Sequence, residues 1–428
     1  MNITAPIKLC VFIVSLLYLS GCQLANSLSF FLKQQQANVK WTTPDKTTSV
    51  PFTTYNHHII VPVSINGGEP LRFVLDTGAA ATVITQSPRT KHLSFKKDSP
   101  IAISGSGNDG DPTAYVLDNI TLSTGDFSIA NLSVIYATTD ALPFDSQDET
   151  YFDGVIGADF FNRTTIEIDY GNMQVTFAEP PESHEHFHDQ RLAQGWQFHA
   201  MPVHSDTPFI DTHVTINDKK HTVKVMIDTG STGYLSLFMG VLPEGVTVPA
   251  KHYEARSRGI SGYSRNKVGL VDNMTLAGFN VNHFPAYFRS EGENPQSGSH
   301  GVLGNQILRQ FNAIVDFEHE ALYLKPIRDG VSSQTLPHLG LRILPHENGG
   351  IIKAIYEFSA LPQNTFNVGD IITSINQTPV NSTSFDHIMQ TISKNSSNHS
   401  HIEVCIAGHQ DCYDIPISPM PWENTVGK

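Results

Sequence analysis

The tripeptide Asp-Thr-Gly occurs twice, as Asp76-Thr77-Gly78 and Asp228-Thr229-Gly230, 152 residues apart. Each copy follows an apolar run, Phe73-Val74-Leu75 in the first and Val225-Met226-Ile227 in the second. A buried strand that twice delivers a carboxylate into a tight glycine turn suggests two carboxylates meeting at a pseudo-two-fold axis. At close range they cannot both ionise cheaply, so they hold one proton between them. One carboxylate can then take a proton from a bound water while the other, protonated, polarises a carbonyl. That chemistry is water-mediated hydrolysis, and it needs neither a covalent intermediate nor a metal.

The elements that must position the pair repeat as well. Ser64-Ile65-Asn66 matches Thr215-Ile216-Asn217, upstream of each aspartate. Downstream, Val116-Leu117-Asp118-Asn119-Ile120-Thr121-Leu122 matches Leu270-Val271-Asp272-Asn273-Met274-Thr275-Leu276. Gly154-Val155-Ile156-Gly157 then matches Gly301-Val302-Leu303-Gly304, and each leads through a short helix-like stretch into an alternating strand, Thr165–Asp169 or Ala313–Phe317. Four landmarks in one order imply duplication. Both units carry short Val/Ile/Thr/Phe runs punctuated by Gly, Asn and Pro, a mainly β pattern of sandwich or barrel type. The expected halves span 52–180 and 196–328, with a linker at 181–195.

These lobes resemble aspartic proteases of the retropepsin and pepsin class, which carry Asp-Thr-Gly after an apolar strand and an apolar-apolar-Gly partner. Ile156-Gly157 and Leu303-Gly304, each with its preceding residue, match that partner. The resemblance implies two β-barrel lobes related by pseudo-two-fold symmetry. Asp76 and Asp228 would form the dyad within one monomeric chain, with no cofactor and no metal. It further implies that Thr77 and Thr229 cross-brace the loops and that Gly78 and Gly230 let backbone approach the carboxylates. Gly105 and Gly107 (Ser104–Gly107) and Gly259 and Gly262 (Gly259–Tyr263) occupy the position of the family's flap. After the tripeptide, the second lobe has Ser231, as pepsins do, and the first has Ala79, as retropepsins do. A hydroxyl donating to one carboxylate would lower its pKa, so its absence on one side predicts work at a less acidic pH than in pepsins.

The two ends of the chain carry other signals. Lys8 precedes an apolar run, Leu9 to Leu19, too short for a spanning helix and typical of a secretory signal. It ends in Leu19-Ser20-Gly21-Cys22, which resembles a bacterial lipobox and implies a signal peptide at 1–21 and lipidation of Cys22. Gln23 resembles lipoproteins sent on to the outer membrane, so the expected location is the cell envelope, facing the periplasm. Residues 22–51, rich in Gln, Thr and Ser, read as a tether. Cys405 and Cys412 flank Gly408-His409 as hairpin partners would; they form either a disulfide or a pair of unbonded strand cysteines.

At the other end, Leu339-Gly340-Leu341, Gly349-Gly350-Ile351-Ile352, Val368-Gly369-Asp370-Ile371-Ile372 and Ile375-Asn376-Gln377-Thr378-Pro379-Val380 precede a helix-like stretch near Ser384–Lys394. This order resembles an α+β PDZ domain over 331–420. The resemblance implies that Leu339, Gly340 and Leu341 offer backbone N–H groups to a peptide's C-terminal carboxylate.

Lys+Arg number 27 against 41 Asp+Glu, a net charge of −14, and no basic cluster stands out, so nucleic acid is not an expected partner. Expected partners are protein or peptide substrates, with the membrane reached only through the lipid. His184-Glu185-His186-Phe187-His188 satisfies the zinc-hydrolase pattern His-Glu-x-x-His, but that chemistry needs a third ligand and a packed helix. The leading expectation is an aspartic endopeptidase whose PDZ domain recruits substrate C-termini. The alternative is an inactive peptide-binding scaffold of the envelope. Pairing of each lobe with another molecule's lobe is made unnecessary by duplication within one chain.

Overall fold

Strand Leu71–Leu75 and strand Lys219–Asp228 lead into the two Asp-Thr-Gly turns, and each lies at the centre of its own sheet. In this computed structural model the described residues are 26–139, 152–327, 339–381 and 401–422, apart from 28, 31, 294, 296, 297, 360, 362–364, 418 and 419. Strand makes up 51% of the chain and helix 8%, so the fold is mainly β, as expected.

The repeated landmarks pair with one another inside each half. Gly154–Ile156 runs parallel to Leu71–Leu75, with Ile156 beside Leu75. Gly301–Gly304 runs parallel to Lys219–Asp228, with Leu303 beside Ile227. On the far side of each partner strand lies a short antiparallel one, Val83–Thr85 or Leu235–Phe238. Outward from there the sheets continue identically. Phe127–Ala137 corresponds to Phe279–Arg289, Thr113–Thr124 to Gly262–Leu276, and His58–Ile65 to Thr207–Ile216. Strands buried on both faces read as continuous apolar runs. Phe73, Leu75, Val225, Ile227, Ile156 and Leu303 are all essentially inaccessible and share one core.

A third sheet joins the halves. Its order is Gln197–Ala200, Ala321–Pro326, Phe311–Asp316, Thr165–Asp169, Gln174–Ala178 and Thr47–Pro51. Ile168 lies opposite Ala313 and Ile166 opposite Val315, so the equivalent strands of the two halves meet at its centre.

Two expected boundaries need correction. The stretch 22–51 is not a tether throughout, because Asn38–Trp41 pairs with Phe127–Ala137 and Thr47–Pro51 with Gln174–Ala178. Its polar composition is that of edge strands, with Thr48 and Val50 turned inward and their neighbours to solvent. Nor is 181–195 an irregular linker. Ser183 caps a helix, His184–Ala193, by accepting from the N–H of His186, with Glu185 in the first turn and Arg191 in the last. Phe187 packs this helix against Tyr323 of the joining sheet.

The C-terminal unit is a separate sheet ordered Leu341–His346, Gly349–Ile355, Ile371–Ile375, His401–Ile406, Tyr413–Pro416, with Thr378–Pro379 on Ile371–Ile375. Cys405 and Cys412 are disulfide-bonded across its last hairpin. The side chains of Leu339 and Leu341 lie in its core, so any contribution they make to peptide capture comes from backbone alone. Gly340, at φ +68°, lies so close to Ser359 that a Cβ would collide with it. Strand Leu341–His346 has no second strand neighbour among the described residues. This unit is docked on the second half, where Tyr253 contacts Tyr356, Phe358 and Trp422. The signal segment, Cys22 and the stretch near Ser384–Lys394 lie outside the described residues. No described helix is long and apolar enough to cross a membrane.

Candidate active site

The two turns interlock. Thr77 Oγ1 donates to the carbonyl of Ile227 (2.7 Å) and accepts from the N–H of Thr229 (3.0 Å). Thr229 Oγ1 donates to the carbonyl of Leu75 (2.7 Å) and accepts from the N–H of Thr77 (3.1 Å). Each buried hydroxyl thus satisfies two backbone groups of the opposite turn, the cross-brace expected from the sequence.

The glycines meet the carboxylates reciprocally. A Cβ on Gly78 would sit 2.8 Å from Cγ of Asp228, and one on Gly230 would sit 2.2 Å from Cγ of Asp76. The space that each missing side chain leaves is therefore filled by the other half's carboxylate. Asp76 Oδ1 accepts from the N–H of Gly78, and Asp228 Oδ1 from that of Ser231, both at 2.8 Å.

Burial raises the pKa of both aspartates. The rise is larger for Asp76, where the neighbouring charge of Asp228 adds to desolvation. For Asp228 a hydrogen bond from Asp76 and the backbone N–H groups of Ser231 and Gly230 offset part of it. The expected asymmetry does not arise from the hydroxyl of Ser231, since that residue reaches Asp228 through its N–H. Ala79 offers its own N–H to Asp76, so both sides have backbone donors.

Several supporting residues have no local signature in the sequence. His58 Nε2 lies 2.7 Å from the carbonyl of Gly230, which can only accept, so that nitrogen carries the proton. Asn305 donates to the carbonyl of His57 and is bonded to the hydroxyl of Tyr170, and Arg309 Nη1 lies 2.7 Å from His57 Nδ1. Burial lowers the pKa of His57 to about 3 and that of His58 to about 4, so both are neutral. Asn305 could have been singled out, since it directly follows the Gly-Val-Leu-Gly landmark. The two histidines lie on a turn before the strands of interest, and only folding brings them to the second Asp loop. Asp159 sits behind the first loop and accepts from the N–H of Thr82; burial raises its pKa to about 6. Arg289 is buried, and its positive charge acts on Asp228.

Residues 61–160 match the family described as Aspartyl protease. The matched span holds Asp76 and Ile156-Gly157 but ends before the second half. Among solved structures the chain is similar to the aspartic proteinase from Irpex lacteus, at 14% identity and a TM-score of 0.40. That match covers 65% of this chain and 97% of the other. No curated protein matches.

The four glycines expected in flap positions, Gly105, Gly107, Gly259 and Gly262, fall at two hairpin tips that meet each other. Ser261, in the turn between His252–Gly259 and Gly262–Leu276, donates its N–H to Ser106 and accepts from the N–H of Asp109 (2.8 Å). Its hydroxyl accepts from the N–H of Gly105 and donates to Asp111 (2.7 Å). Asn108 donates to Tyr263, and Gly107 to Gly292. Gly107 is held at φ +135° with its Cα face against the backbone of Ser261, 2.2 Å from where a Cβ would stand. Beside the second hairpin, a cavity of about 590 Å³ opens toward the C-terminal unit, lined by Arg256, Arg258, Arg265, Arg342 and Lys353 among others.

The His-Glu-x-x-His stretch is helical and packed, with the rings of His184 and His188 6.0 Å apart at 39°, but each has a different polar neighbour. His188 Nδ1 lies 3.2 Å from the hydroxyl of Tyr323, whereas His184 stacks on His319.

Proposed function

We propose that this chain is a single-chain aspartic endopeptidase with Asp76 and Asp228 as its dyad. The observation that carries this reading is the reciprocal seating of each carboxylate in the space left by the other half's glycine. Two carboxyls forced together in a desolvated place share one proton. One of the two carboxyls carries that proton and the other, ionised, is the base. A water between them loses its proton to the ionised carboxylate as it attacks the peptide carbonyl, while the protonated carboxyl donates to the carbonyl oxygen. The threonine cross-brace holds the carboxylates in place, so little reorganisation accompanies the reaction. Substrate enters when the joined hairpin tips part, and their closure excludes water.

The same reading takes the C-terminal unit as a PDZ domain that captures chain ends by strand addition along Leu341–His346. The neighbouring cavity holds five cations beside Glu254 and Glu357, a net positive lining that favours carboxylates. It also takes the chain as lipidated at Cys22 and held on the periplasmic side of a bacterial envelope membrane, the outer membrane by preference.

The test is hydrolysis of a denatured protein mixture from pH 3 to 8 with chelator present, by the wild type, Asp76→Asn and Asp228→Asn. Each substitution is expected to lower the rate by about 10²–10⁴. Full activity in either variant would refute the dyad. An inactive wild type that binds C-terminal peptides would establish the scaffold instead.

A further inference from the structure

The helix His184–Ala193 lies against the sheet that joins the two halves, and its first residue meets a polar group there. Asp316 ends strand Phe311–Asp316 and is almost wholly buried; His319 lies in the turn that follows. One Asp316 oxygen accepts from the N–H of His319 (3.1 Å), and the other faces His319 Nδ1 at 2.9 Å. The His184 ring stacks on the His319 ring at 4.6 Å, 13° from parallel. One nitrogen of each imidazole and one carboxylate oxygen all lie within 4.8 Å of one another. His184 Nδ1 is sealed from solvent with no hydrogen-bond partner among the described residues.

We propose that His184, Asp316 and His319 bind a divalent ion of the zinc class, which ties the helix between the halves to the sheet that joins them. Two imidazoles and one carboxylate are a donor set that zinc favours over calcium or magnesium. Ligands at about 2.0–2.2 Å from a tetrahedral ion stand about 3.4 Å apart. The oxygen–nitrogen pair at 2.9 Å is already within that bite, and the His184 ring, stacked nearly parallel on His319, must turn out of the stack to aim its nitrogen at the same ion. The ion would replace the proton shared by Asp316 and His319 and engage His184, with water as fourth ligand. Sequence alone pointed to a different pair, His184 with His188. The fold instead sends His188 to Tyr323 and supplies the other two ligands from 132 and 135 residues further along the chain.

The test uses the full chain, stripped with chelator and titrated with Zn²⁺ by calorimetry and thermal melting. The wild type is expected to bind one ion tightly and to melt a few degrees higher with it. His184→Ala and His319→Ala are expected to weaken that site by more than the roughly 10- to 100-fold that loss of an outer-shell partner costs. His188→Ala is expected to bind as the wild type does. His184→Ala removes a ring at the helix start that is only partly buried, so it remains informative if His319→Ala fails to fold. A Zn²⁺ isotherm unchanged in His184→Ala, or no binding by the wild type, would overturn the site. Peptide hydrolysis in chelator is expected in every variant, which keeps this test separate from that of the dyad.

Discussion

Replacing Thr77 by valine keeps the shape of the side chain and removes one hydroxyl. That hydroxyl is the hydrogen-bond partner of two groups in the opposite turn, the carbonyl of Ile227 and the N–H of Thr229. Thr77 is fully buried and Thr229 nearly so, so water cannot replace it without opening the junction. Each buried group left without a partner costs about 1–3 kcal/mol, which puts Thr77→Val at about 2–6 kcal/mol. With a urea dependence of about 3 kcal/mol per molar, the unfolding midpoint should fall by about 0.7–2 M. Thr77→Ser keeps the hydroxyl and loses one methyl, worth about 0.8 kcal/mol by transfer. The assay is equilibrium urea unfolding followed by tryptophan fluorescence, with Thr229→Val and the double variant completing a cycle. The two hydroxyls do not bond each other but brace the same junction. The second loss should therefore cost less than the first, with a coupling of at least about 0.5 kcal/mol. A Thr77→Val midpoint equal to that of the wild type, or a serine variant as damaged as the valine one, would refute the cross-brace as a source of stability.

Three further perturbations probe other parts of the site. Ser261→Ala removes the acceptor for the N–H of Gly105 and the donor to Asp111, a loss of about 1–2 kcal/mol at the joined tips. Amide exchange at Gly105 and Asp109 should then quicken by about 5- to 30-fold; unchanged protection would mean that the tips are held by other contacts. His58 is buried neutral with its pKa at about 4, so below the unfolded value of 6.5 the unfolded chain binds more protons and stability falls as pH drops. The loss by pH 4 is on the order of 3 kcal/mol, and His58→Gln should flatten the melting curve between pH 6.5 and 4. Asp159, with its pKa raised to about 6, acts in the opposite sense, losing stability as pH rises through that value. The single substitution is therefore compared with the wild type rather than read from an absolute slope. Arg289→Met removes a cation that favours the charged form of Asp228. The pH–rate profile should move upward. A profile that stays in place would show that the guanidinium is too screened to act on the dyad.

Local information determined a good deal of this molecule. An apolar strand ending in Asp-Thr-Gly is a self-contained signal, and so is Gly-Val-Ile-Gly with its relative Gly-Val-Leu-Gly. Their repeated order was enough to pair Asp76 with Asp228, because duplicated strands with the same pattern find the same neighbours. Phe73 to Leu75 is a continuous apolar run buried on both faces, as a central strand is, whereas in the second strand Met226 is only half-buried between buried Val225 and Ile227. Thr47–Pro51 and His184–Ala193 escaped that reading. An edge strand buries one face, so its composition stays polar, and a helix with a single apolar anchor shows little periodicity. The hydrogen bond from His58 to Gly230, the charge of Arg289 near Asp228, and the meeting of His184 with His319 have no counterpart in sequence spacing. These contacts join segments more than a hundred residues apart or strands from different sheet positions. Their partners are chosen by how distant strands and the two halves pack, a property of the assembled surfaces that no single stretch contains.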